Sequence, residues 1–275
     1  MKDQADKLRK IISGMNELEL EEENQYKNML THKSSRVITI TSGKGGVGKT
    51  SFTTNIGIVL AEMGYRVVII DADLGLSNVD VVLGKTAKFN LSDVIKYKKD
   101  ILDIIEEGPS GVRFISGGSG MQELIKLDKK QLIDLLTQLG KLDEDADIIL
   151  IDTGAGLSDS VMSFVHAAKE VIIVTTPEPT AITDAYALIK TISYKDRNKS
   201  LKLIVNRADN IEEAYNVLDK LNIVTEKFLG LKLEKLGFIL NDNNVIKAIK
   251  QQEPFVLSYK RCEASKNIND IAKTL

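Results

Sequence analysis

The sequence predicts an α/β protein built on a doubly wound, mostly parallel sheet. Short runs of β-branched and other apolar residues alternate along the chain with longer amphipathic stretches. Continuous apolar runs suit strands buried on both faces, and the amphipathic stretches between them suit crossover helices. A glycine-rich loop lies between the first apolar run and the first amphipathic stretch, which is where sheets of this kind place a ligand.

The individual elements follow from the same alternation. Six apolar runs are predicted as strands: residues 36–41, 67–70, 112–115, 148–151, 171–174 and 203–205. Four amphipathic stretches are predicted as helices packed on the sheet: residues 49–63, 129–142, 181–192 and 211–228. Ligands of open parallel sheets bind beyond the carboxyl ends of the strands, so polar residues that follow these runs are the candidate functional residues.

Composition indicates an ordinary soluble globular protein with one main domain. The 275 residues are 43% apolar and 28% charged, and 37 Lys and Arg residues face 39 Asp and Glu residues. The resulting net charge of -2 provides no general field that would hold a polyanion. Nucleic acid is therefore not an expected partner.

Cysteine usage and hydropathy predict a cytoplasmic protein. Cys262 is the single cysteine of the chain, so it has no internal disulfide partner and no thiol set for a metal cluster. The first nine residues alternate charges where a secretory signal would carry an apolar core. No apolar run reaches the roughly 18 residues that a membrane span needs, so we expect a protein that is neither exported nor integral.

The first 33 residues are expected to form a separate extension of the main domain, which covers residues 34–275. Residues 3–12 predict a short amphipathic helix, with Ala5, Leu8, Ile11 and Ile12 on one side. Gly14 can end this helix, and the acidic residues 17–24 that follow are typical of a solvated linker.

A complete phosphate-loop motif follows the first predicted strand. Residues 43–50 read G-K-G-G-V-G-K-T and match the pattern G-x-x-x-x-G-K-[ST], with a helical stretch directly after them. The glycines allow backbone N–H groups to turn toward phosphate oxygens, and the positive end of the following helix favours the same anion. We expect Lys49 to meet the β and γ phosphates and Thr50 to offer its hydroxyl to Mg²⁺. The expected nucleotide-binding residues of this loop are Gly43, Lys44, Gly45, Gly46, Val47, Gly48, Lys49, Thr50 and Ser51.

Lysine at the second position of this motif points to a subclass. An ordinary phosphate loop does not require Lys44, and G-K-G-G-V-G-K-T resembles the deviant Walker motif of the MinD/ParA family. The resemblance implies a MinD-like P-loop ATPase fold with ATP and Mg²⁺ as ligands. It also implies that Lys44 reaches the phosphates held by the other subunit, so that a homodimer completes both sites in the ATP state.

The resemblance extends to aspartates that follow two further strands. Asp71 and Asp73 stand in the D-A-D-L-G segment that matches the family's switch I. Asp73 would orient the attacking water, and Asp71 would lie near the water shell of the metal. Asp152, in D-T-G-A-G, matches the Walker B and switch II segment and would hold Mg²⁺ through water.

Two later segments match family positions around the base. Asn206 and Arg207 close a predicted strand, and the family's Asn at this position reads adenine. Residues 177–180, P-E-P-T, are expected to flank the same base. An Asn that follows a strand is also a common turn residue, so the residues alone leave both interpretations open.

Three segments resemble the FlhG (YlxH) branch, whose members are flagellar-number ATPases. They read D-A-D-L-G-L-S-N-V-D-V-V-L-G from residue 71, D-T-G-A-G-L from residue 152 and P-E-P-T-A-I-T-D-A-Y-A-L-I-K from residue 177. The start of the chain is similar to the D-Q-A-x-x-L-R segment through which that branch stimulates its GTPase partner FlhF. This match assigns Gln4, Leu8 and Arg9 to partner activation.

Family resemblance further implies binding to flagellar switch proteins of the FliM and FliN type, and reversible attachment to the inner face of the cell membrane. A C-terminal amphipathic helix makes that attachment in the family. Here Ala264, Ile268, Ile271 and Leu275 form a narrow apolar stripe without the aromatic residues or dense basic face of an interfacial anchor. We expect this stripe to pack on the core of the protein.

Other interpretations share the phosphate loop. A division-site ATPase like MinD would carry a basic amphipathic tail, and a partitioning ATPase like ParA would carry a basic DNA-binding surface, which the net charge does not favour. A scaffold that binds ATP without hydrolysing it would not need Asp73. The nitrogenase iron protein has the same loop, but its bridging cluster needs more cysteine than Cys262 supplies.

Overall fold

The computed structural model describes residues 35–73, 78–118 and 129–275. The predicted extension of residues 1–33, with Gln4, Leu8 and Arg9, lies outside the described residues. Residues 74–77 of the segment that resembles switch I also lie outside them.

One sheet of eight strands organises the described part of the chain. The strand order is β3-β4-β2-β5-β1-β6-β7-β8, and every neighbouring pair is parallel except β3 and β4. The strands are β1 (Arg36–Ser42), β2 (Val67–Ala72), β3 (Glu106–Glu107), β4 (Arg113–Ile115), β5 (Ile148–Ala155), β6 (Glu170–Thr175), β7 (Ser200–Ala208) and β8 (Glu234–Leu240).

Helices connect the parallel strands and cover both faces of the sheet. They are α1 (Lys49–Glu62), α2 (Val79–Val82), α3 (Leu91–Tyr97), α4 (Lys129–Leu139), α5 (Asp159–Ala167), α6 (Pro179–Lys195), α7 (Ile211–Leu229), α8 (Asn243–Gln251), α9 (Phe255–Ser258) and α10 (Glu263–Thr274). Short 3₁₀ segments occur at Ile101–Ile104, Pro109–Gly111 and Gly140–Glu144.

Alternate residues of the central strands pack on opposite sides of the sheet. Ile38 of β1 contributes to the core under α1 and α10, whereas its neighbour Val37 belongs to the core under α3, α4 and α5. Val171 of β6 packs in a third cluster with α6 and α7. The doubly wound, mostly parallel α/β fold predicted from the sequence is confirmed.

The predicted elements are present, and several are longer than predicted. β5 continues to Ala155, so Asp152 lies inside the strand rather than at its end. The helix predicted for residues 129–142 ends as an α-helix at Leu139 and continues as a 3₁₀ turn from Gly140, where glycine weakens the α-helix.

The C-terminal helix packs on the core, as its sequence predicts. The apolar stripe of α10 includes Ala264, Ile268 and Ile271, which are buried against β8 and α1. Leu275 is partly buried against the same core, and its carbonyl accepts a hydrogen bond from Arg36. Across the described ranges, no helix is both long enough and apolar enough to cross a bilayer.

Candidate nucleotide-binding site

The phosphate loop joins β1 to α1 at the carboxyl edge of the sheet, between β5 and β6. Gly46 and Gly48 have left-handed backbone conformations, with φ of 78° and 92°, which other residues rarely adopt. Gly43 is required for a different reason, because an added Cβ would lie 2.3 Å from the carbonyl oxygen of Asp184 in α6. Gly48 offers no side chain to cap α1, so the first N–H groups of this helix suit an anion.

Asp152 brings the predicted phosphate and metal residues together. The hydroxyl of Thr50 donates to Oδ2 of Asp152 at 2.6 Å, and the hydroxyl of Thr53 donates to Oδ1 at 3.1 Å. Nζ of Lys49 lies 3.5 Å from the same Oδ1, and Lys49 and Asp152 are both buried. A buried carboxylate beside a hydroxyl presents the hard oxygen atoms that Mg²⁺ prefers.

Asp71 stabilises the segment after β2 by accepting hydrogen bonds from its backbone. Its carboxylate is fully buried, and Oδ1 accepts the backbone N–H of Asp73 at 3.1 Å. Oδ2 accepts the N–H groups of Asn78 at 2.8 Å and Val79 at 3.0 Å, at the start of α2. Asp71 lies in register with Asp152 on the neighbouring strand, so the predicted metal residue also fixes the loop that carries Asp73.

Asp73 lies against the segment that follows Asp152. Its Oδ1 is 3.2 Å from the position that a Cβ on Gly154 would occupy, so glycine leaves room for the carboxylate. Burial raises the pKa of Asp73, the charge of Lys49 lowers it, and the charge of Asp152 raises it further. These couplings place Asp73 in the same electrostatic environment as the phosphate-binding residues.

Lys44 is held by the turn between β6 and α6. Its Nζ donates to Oε2 of Glu178 at 2.6 Å and to the hydroxyl of Thr180 at 2.9 Å. The hydrogen bond from Lys44, together with its charge, holds the pKa of the Glu178 carboxyl below its usual range. The ammonium group is thus held on the exposed side of the loop rather than on Asp152.

A comparison with family models decides the family of this chain. The model of the ParA family, described as the NUBPL iron-transfer P-loop NTPase, matches residues 33–275. The chain belongs to the ParA/MinD family of P-loop ATPases. Members of this family hydrolyse ATP and bind it with Mg²⁺. Iron transfer belongs to the protein after which that model is described, and an iron–sulfur cluster shared between two subunits would need more cysteine ligands than Cys262 supplies.

Similar proteins indicate which branch of the family this chain resembles. The ATPase is 41% identical over 238 residues to the antiactivator FleN of Pseudomonas aeruginosa. This alignment covers 86% of the ATPase and 85% of FleN. It is also 34% identical over 221 residues to the flagellum site-determining protein YlxH of Helicobacter pylori. That alignment covers 80% of the ATPase and 74% of YlxH. Among solved structures, MinD of Pyrococcus horikoshii with Mg-ADP matches at a TM-score of 0.73 and 27% identity, over 87% of this chain and 95% of that one. The predicted resemblance to the MinD/ParA family and its flagellar branch is confirmed.

The end of β7 supports the phosphate loop of this ATPase. Nδ2 of Asn206 donates to the carbonyl of Val47 at 2.7 Å, and its Oδ1 accepts the backbone N–H of Arg207 at 2.9 Å. Arg207 itself has a φ of 58°, a conformation that costs energy for a residue other than glycine and often occurs at functional sites. Asn206 therefore ties the loop to β7, and its predicted contact with adenine stays a prediction.

A cavity of about 280 Å³ adjoins the phosphate loop. Its lining includes Gly48, Ser51, Asn206, Arg207, Asp242 and Ile246. Two of the residues predicted near the base thus line the cavity, whereas Glu178 and Thr180 contact Lys44 instead. A mixed polar and apolar cavity beside a phosphate site suits the ribose and base of a nucleotide.

Several residues of this site could not be predicted from the sequence. Asp242 and Ile246 follow β8, whose residues include glycine and two charges and do not form a continuous apolar run. Asp242 caps α8 by accepting the N–H of Asn244 at 2.8 Å. Thr53, which donates to Asp152, lies one helical turn after Lys49 and resembles any buried polar residue of an amphipathic helix.

The residues present fit ATP and Mg²⁺. No group of three or more His, Cys, Asp or Glu side chains that could hold a metal occurs within the part of the chain that the structure describes. A site with few protein ligands suits Mg²⁺, which keeps several waters and binds phosphate oxygens. Thr50 and Asp152 are the protein groups best placed to hold the ion.

Proposed function

We propose that this ATPase is a nucleotide-gated dimeric switch that controls the number or the placement of flagella. Support for the flagellar role comes from the 41% identity to a relative named antiactivator FleN and from the similarity to the site-determining protein YlxH. One observation supports the gating part: Lys44, the lysine expected to act on the nucleotide of a second subunit, bonds to Glu178 and Thr180, whereas Lys49 lies beside Asp152.

The proposed chemistry divides the site into binding and positioning groups. The loop N–H groups and Lys49 bind the phosphates, Thr50 and Asp152 hold Mg²⁺, and Asp73 orients the attacking water. Bound Mg²⁺ supplies positive charge that stabilises the phosphate oxygens. Phosphoryl transfer depends mainly on such positioning and charge neutralisation, so hydrolysis without regulators is expected to be slow.

Lys49→Ala and Asp73→Ala separate binding from hydrolysis. We expect Lys49→Ala to abolish phosphate release, because the main positive contact to the phosphates is lost. Asp73→Ala should retain ATP but not hydrolyse it, because the water is no longer oriented. Phosphate release and nucleotide retention measure the two steps, with Lys220→Ala on exposed α7 as the control. Unchanged turnover in Lys49→Ala would refute the site.

A second proposed activity belongs to the predicted N-terminal helix, which would stimulate an FlhF-like GTPase. The side-chain amide of Gln4 can donate to one oxygen and accept from water, so it can orient the nucleophile in GTP hydrolysis. Leu8, Ile11 and Ile12 would bury apolar surface on the partner, and Arg9 would pair with an acidic rim or a phosphate.

A peptide of residues 1–24 tests this activity without the ATPase domain. Added to a GTP-loaded, dimeric GTPase of the FlhF type, it should raise GTP turnover. The Gln4→Ala peptide should bind equally well but stimulate poorly, because only the water-orienting amide is removed. No stimulation by the peptide or by the full chain would contradict the activator role and leave the ATPase site unaffected.

The remaining partners are proposed for the ATP-bound dimer. They are flagellar switch proteins of the FliM and FliN type and the inner face of the cell membrane. The apolar stripe of α10 is already buried in the core, so any membrane contact would use another surface. Retention of switch proteins by Asp73→Ala with ATP, but not with ADP, would support the first contact. The same result with phospholipid vesicles would support the second. Equal retention in the two nucleotides would refute nucleotide gating of these contacts.

A further inference from the structure

A basic surface lies on and beside α3, away from the phosphate loop. Residues 85–99 contain five lysines and one acidic residue, Asp93, whose carboxylate accepts the N–H of Asn90 at the start of α3. We name the five lysines the lysine surface: Lys85, Lys88, Lys96, Lys98 and Lys99. The net charge of the chain is -2, so this concentration of positive charge is local.

Two of these lysines converge on one aromatic ring. Nζ of Lys99 lies 3.8 Å from the centroid of the Phe89 ring, and Nζ of Lys88 lies 5.4 Å from it. Two ammonium groups near one ring repel each other, and an anion between or above them would lower that repulsion. Acidic residues also lie beside these lysines: Asp134 is 3.7 Å from Lys98, and Glu106 accepts the backbone N–H of Lys88.

Apolar side chains border the same surface. Tyr97, the last residue of α3, is 74% exposed, and Leu102 in the following 3₁₀ turn is 42% exposed. The surface therefore suits an occupant that combines several carboxylates with a few aliphatic side chains.

The N-terminal extension joins the domain beside the lysine surface. Ser35, the first described residue, donates a hydrogen bond from its hydroxyl to Asp143 in the Gly140–Glu144 turn. Lys141 of that turn bonds to Asp100, which directly follows Lys99 in the chain. Two contacts thus connect the point where the extension joins the domain to the end of the lysine surface.

We propose that the acidic segment of the extension, residues 17–23, docks on the lysine surface of its own chain. This segment reads E-L-E-L-E-E-E, with five glutamates, two leucines and no basic residue, so it matches the charge and the apolar border of the surface. The 11 residues between Glu23 and Ser35 form 12 Cα–Cα steps, which can extend about 40 Å. Because the segment is tethered, its effective concentration at the surface is in the millimolar range, and weak individual ion pairs suffice.

Docking would limit how far the proposed activator helix can reach, and this consequence rests on the proposed stimulation of a GTPase partner. Residues 3–12 precede the acidic segment by only four residues, so a docked segment would hold the helix close to α3. Release of the segment would let the helix reach a partner over a larger radius.

Zero-length carbodiimide coupling in the full chain tests the docking, because it joins only carboxylates and amines in direct contact. Mass spectrometry should identify links from residues 17–23 to the lysine surface. The yield should fall about fivefold or more in about 1 M NaCl, where the Debye length is only about 3 Å. Lys88→Glu with Lys99→Glu should abolish these links, whereas the control Lys220→Glu with Lys227→Glu on α7 should not.

A charge swap makes the test specific. Adding Glu19→Lys and Glu21→Lys to the Lys88→Glu, Lys99→Glu chain should restore coupling with the roles of carboxylate and amine exchanged. Links spread evenly over all exposed lysines, or unaffected by the charge reversal, would overturn the proposal. Links between ¹⁴N-labelled and ¹⁵N-labelled chains in a mixture would also overturn it, since docking would then be between two molecules. A docked segment in a chain that fails to stimulate any GTPase would refute the activator role alone.

Discussion

At the residue scale, single side chains of this ATPase have partners that assign them different tasks. Asp152 holds Lys49 and Thr50, as expected of a residue in a phosphate and metal site. Lys44 carries the same charge as Lys49, yet its ammonium group bonds to Glu178 and Thr180. The two lysines of the loop are thus separated, with Lys49 beside the buried Asp152 and Lys44 held at the surface.

Glu178→Gln tests whether this contact restrains dimerisation. The contact must break before Lys44 can reach a second subunit, so removal of the carboxylate charge should favour the dimer. The pair is solvent-exposed, so the expected effect is modest: about two- to fivefold less ATP at half-maximal dimerisation. Sedimentation across an ATP titration, in the Asp73→Ala background to prevent hydrolysis, measures this concentration. Glu226→Gln on the exposed side of α7 is the matched control. A higher ATP requirement for Glu178→Gln would show that Glu178 supports the dimer instead.

Lys49 and Thr50 were predicted because a phosphate loop needs those residues at fixed spacing, and Asp152 was predicted from the resemblance of its segment to the family's Walker B segment. They could not identify the partners of Asn206, whose amide is bonded to the carbonyl of Val47, 159 positions away in the chain. Sequence patterns capture local chemistry, whereas such a contact depends on which strands become neighbours. The contact between Lys44 and Glu178 could not be predicted for the same reason, because the two residues are 134 positions apart.

At the element scale, burial explains which strands the sequence predicted. β1, β2, β5, β6 and β7 lie inside the sheet, and their continuous apolar runs were recognised. β3 and β8 are the two edges and were not predicted. β3 has only two residues, both glutamates, and β8 has polar positions and a glycine that packs against Ile271. An edge strand needs to bury only part of its surface, so it lacks the signal of a central strand.

Charged side chains connect three strands at the opposite, amino-terminal edge of the sheet. The carboxylate of Glu170 on β6 accepts hydrogen bonds from Nε and Nη2 of Arg36 on β1, at 2.5 and 2.6 Å. Nζ of Lys202 on β7 lies 3.2 Å from the same carboxylate. Burial would raise the pKa of Glu170, but the hydrogen bond and charge of Arg36, with those of Lys202, outweigh it and lower the pKa.

Glu170→Gln should therefore destabilise the sheet in a pH-dependent manner. A lowered pKa in the folded state stabilises the protein above the unfolded pKa of about 4.3, and this stability is lost as the pH falls through the folded pKa. We expect a loss of about 1–3 kcal/mol at neutral pH, because two cations lose their carboxylate. Urea unfolding at neutral pH and below about pH 4 should show the difference from wild type narrowing in acid. Glu226→Gln is again the control, and a difference independent of pH would mean that packing, not charge, is lost.

At the scale of the whole molecule, the sequence predicted the layers but not the arrangement of strands within them. Alternating apolar runs and amphipathic stretches implied helices on both faces of a parallel sheet. The order β3-β4-β2-β5-β1-β6-β7-β8 places β1 between β5 and β6, although three other strands separate β1 from β5 along the chain. This order brings Asp152, Lys44 and Glu178 to one edge, and it depends on tertiary packing that no local pattern encodes.

Sedimentation of Asp73→Ala tests whether ATP brings two copies of this ATPase together as a homodimer. This variant should retain ATP without hydrolysing it, so it isolates the ATP-bound state in which the proposed dimer would form. We predict a dimer at saturating ATP, a monomer with ADP, and a weakened dimer when Lys44→Ala is added. A chain that binds ATP but remains a monomer at saturating ATP would contradict nucleotide-gated dimerisation.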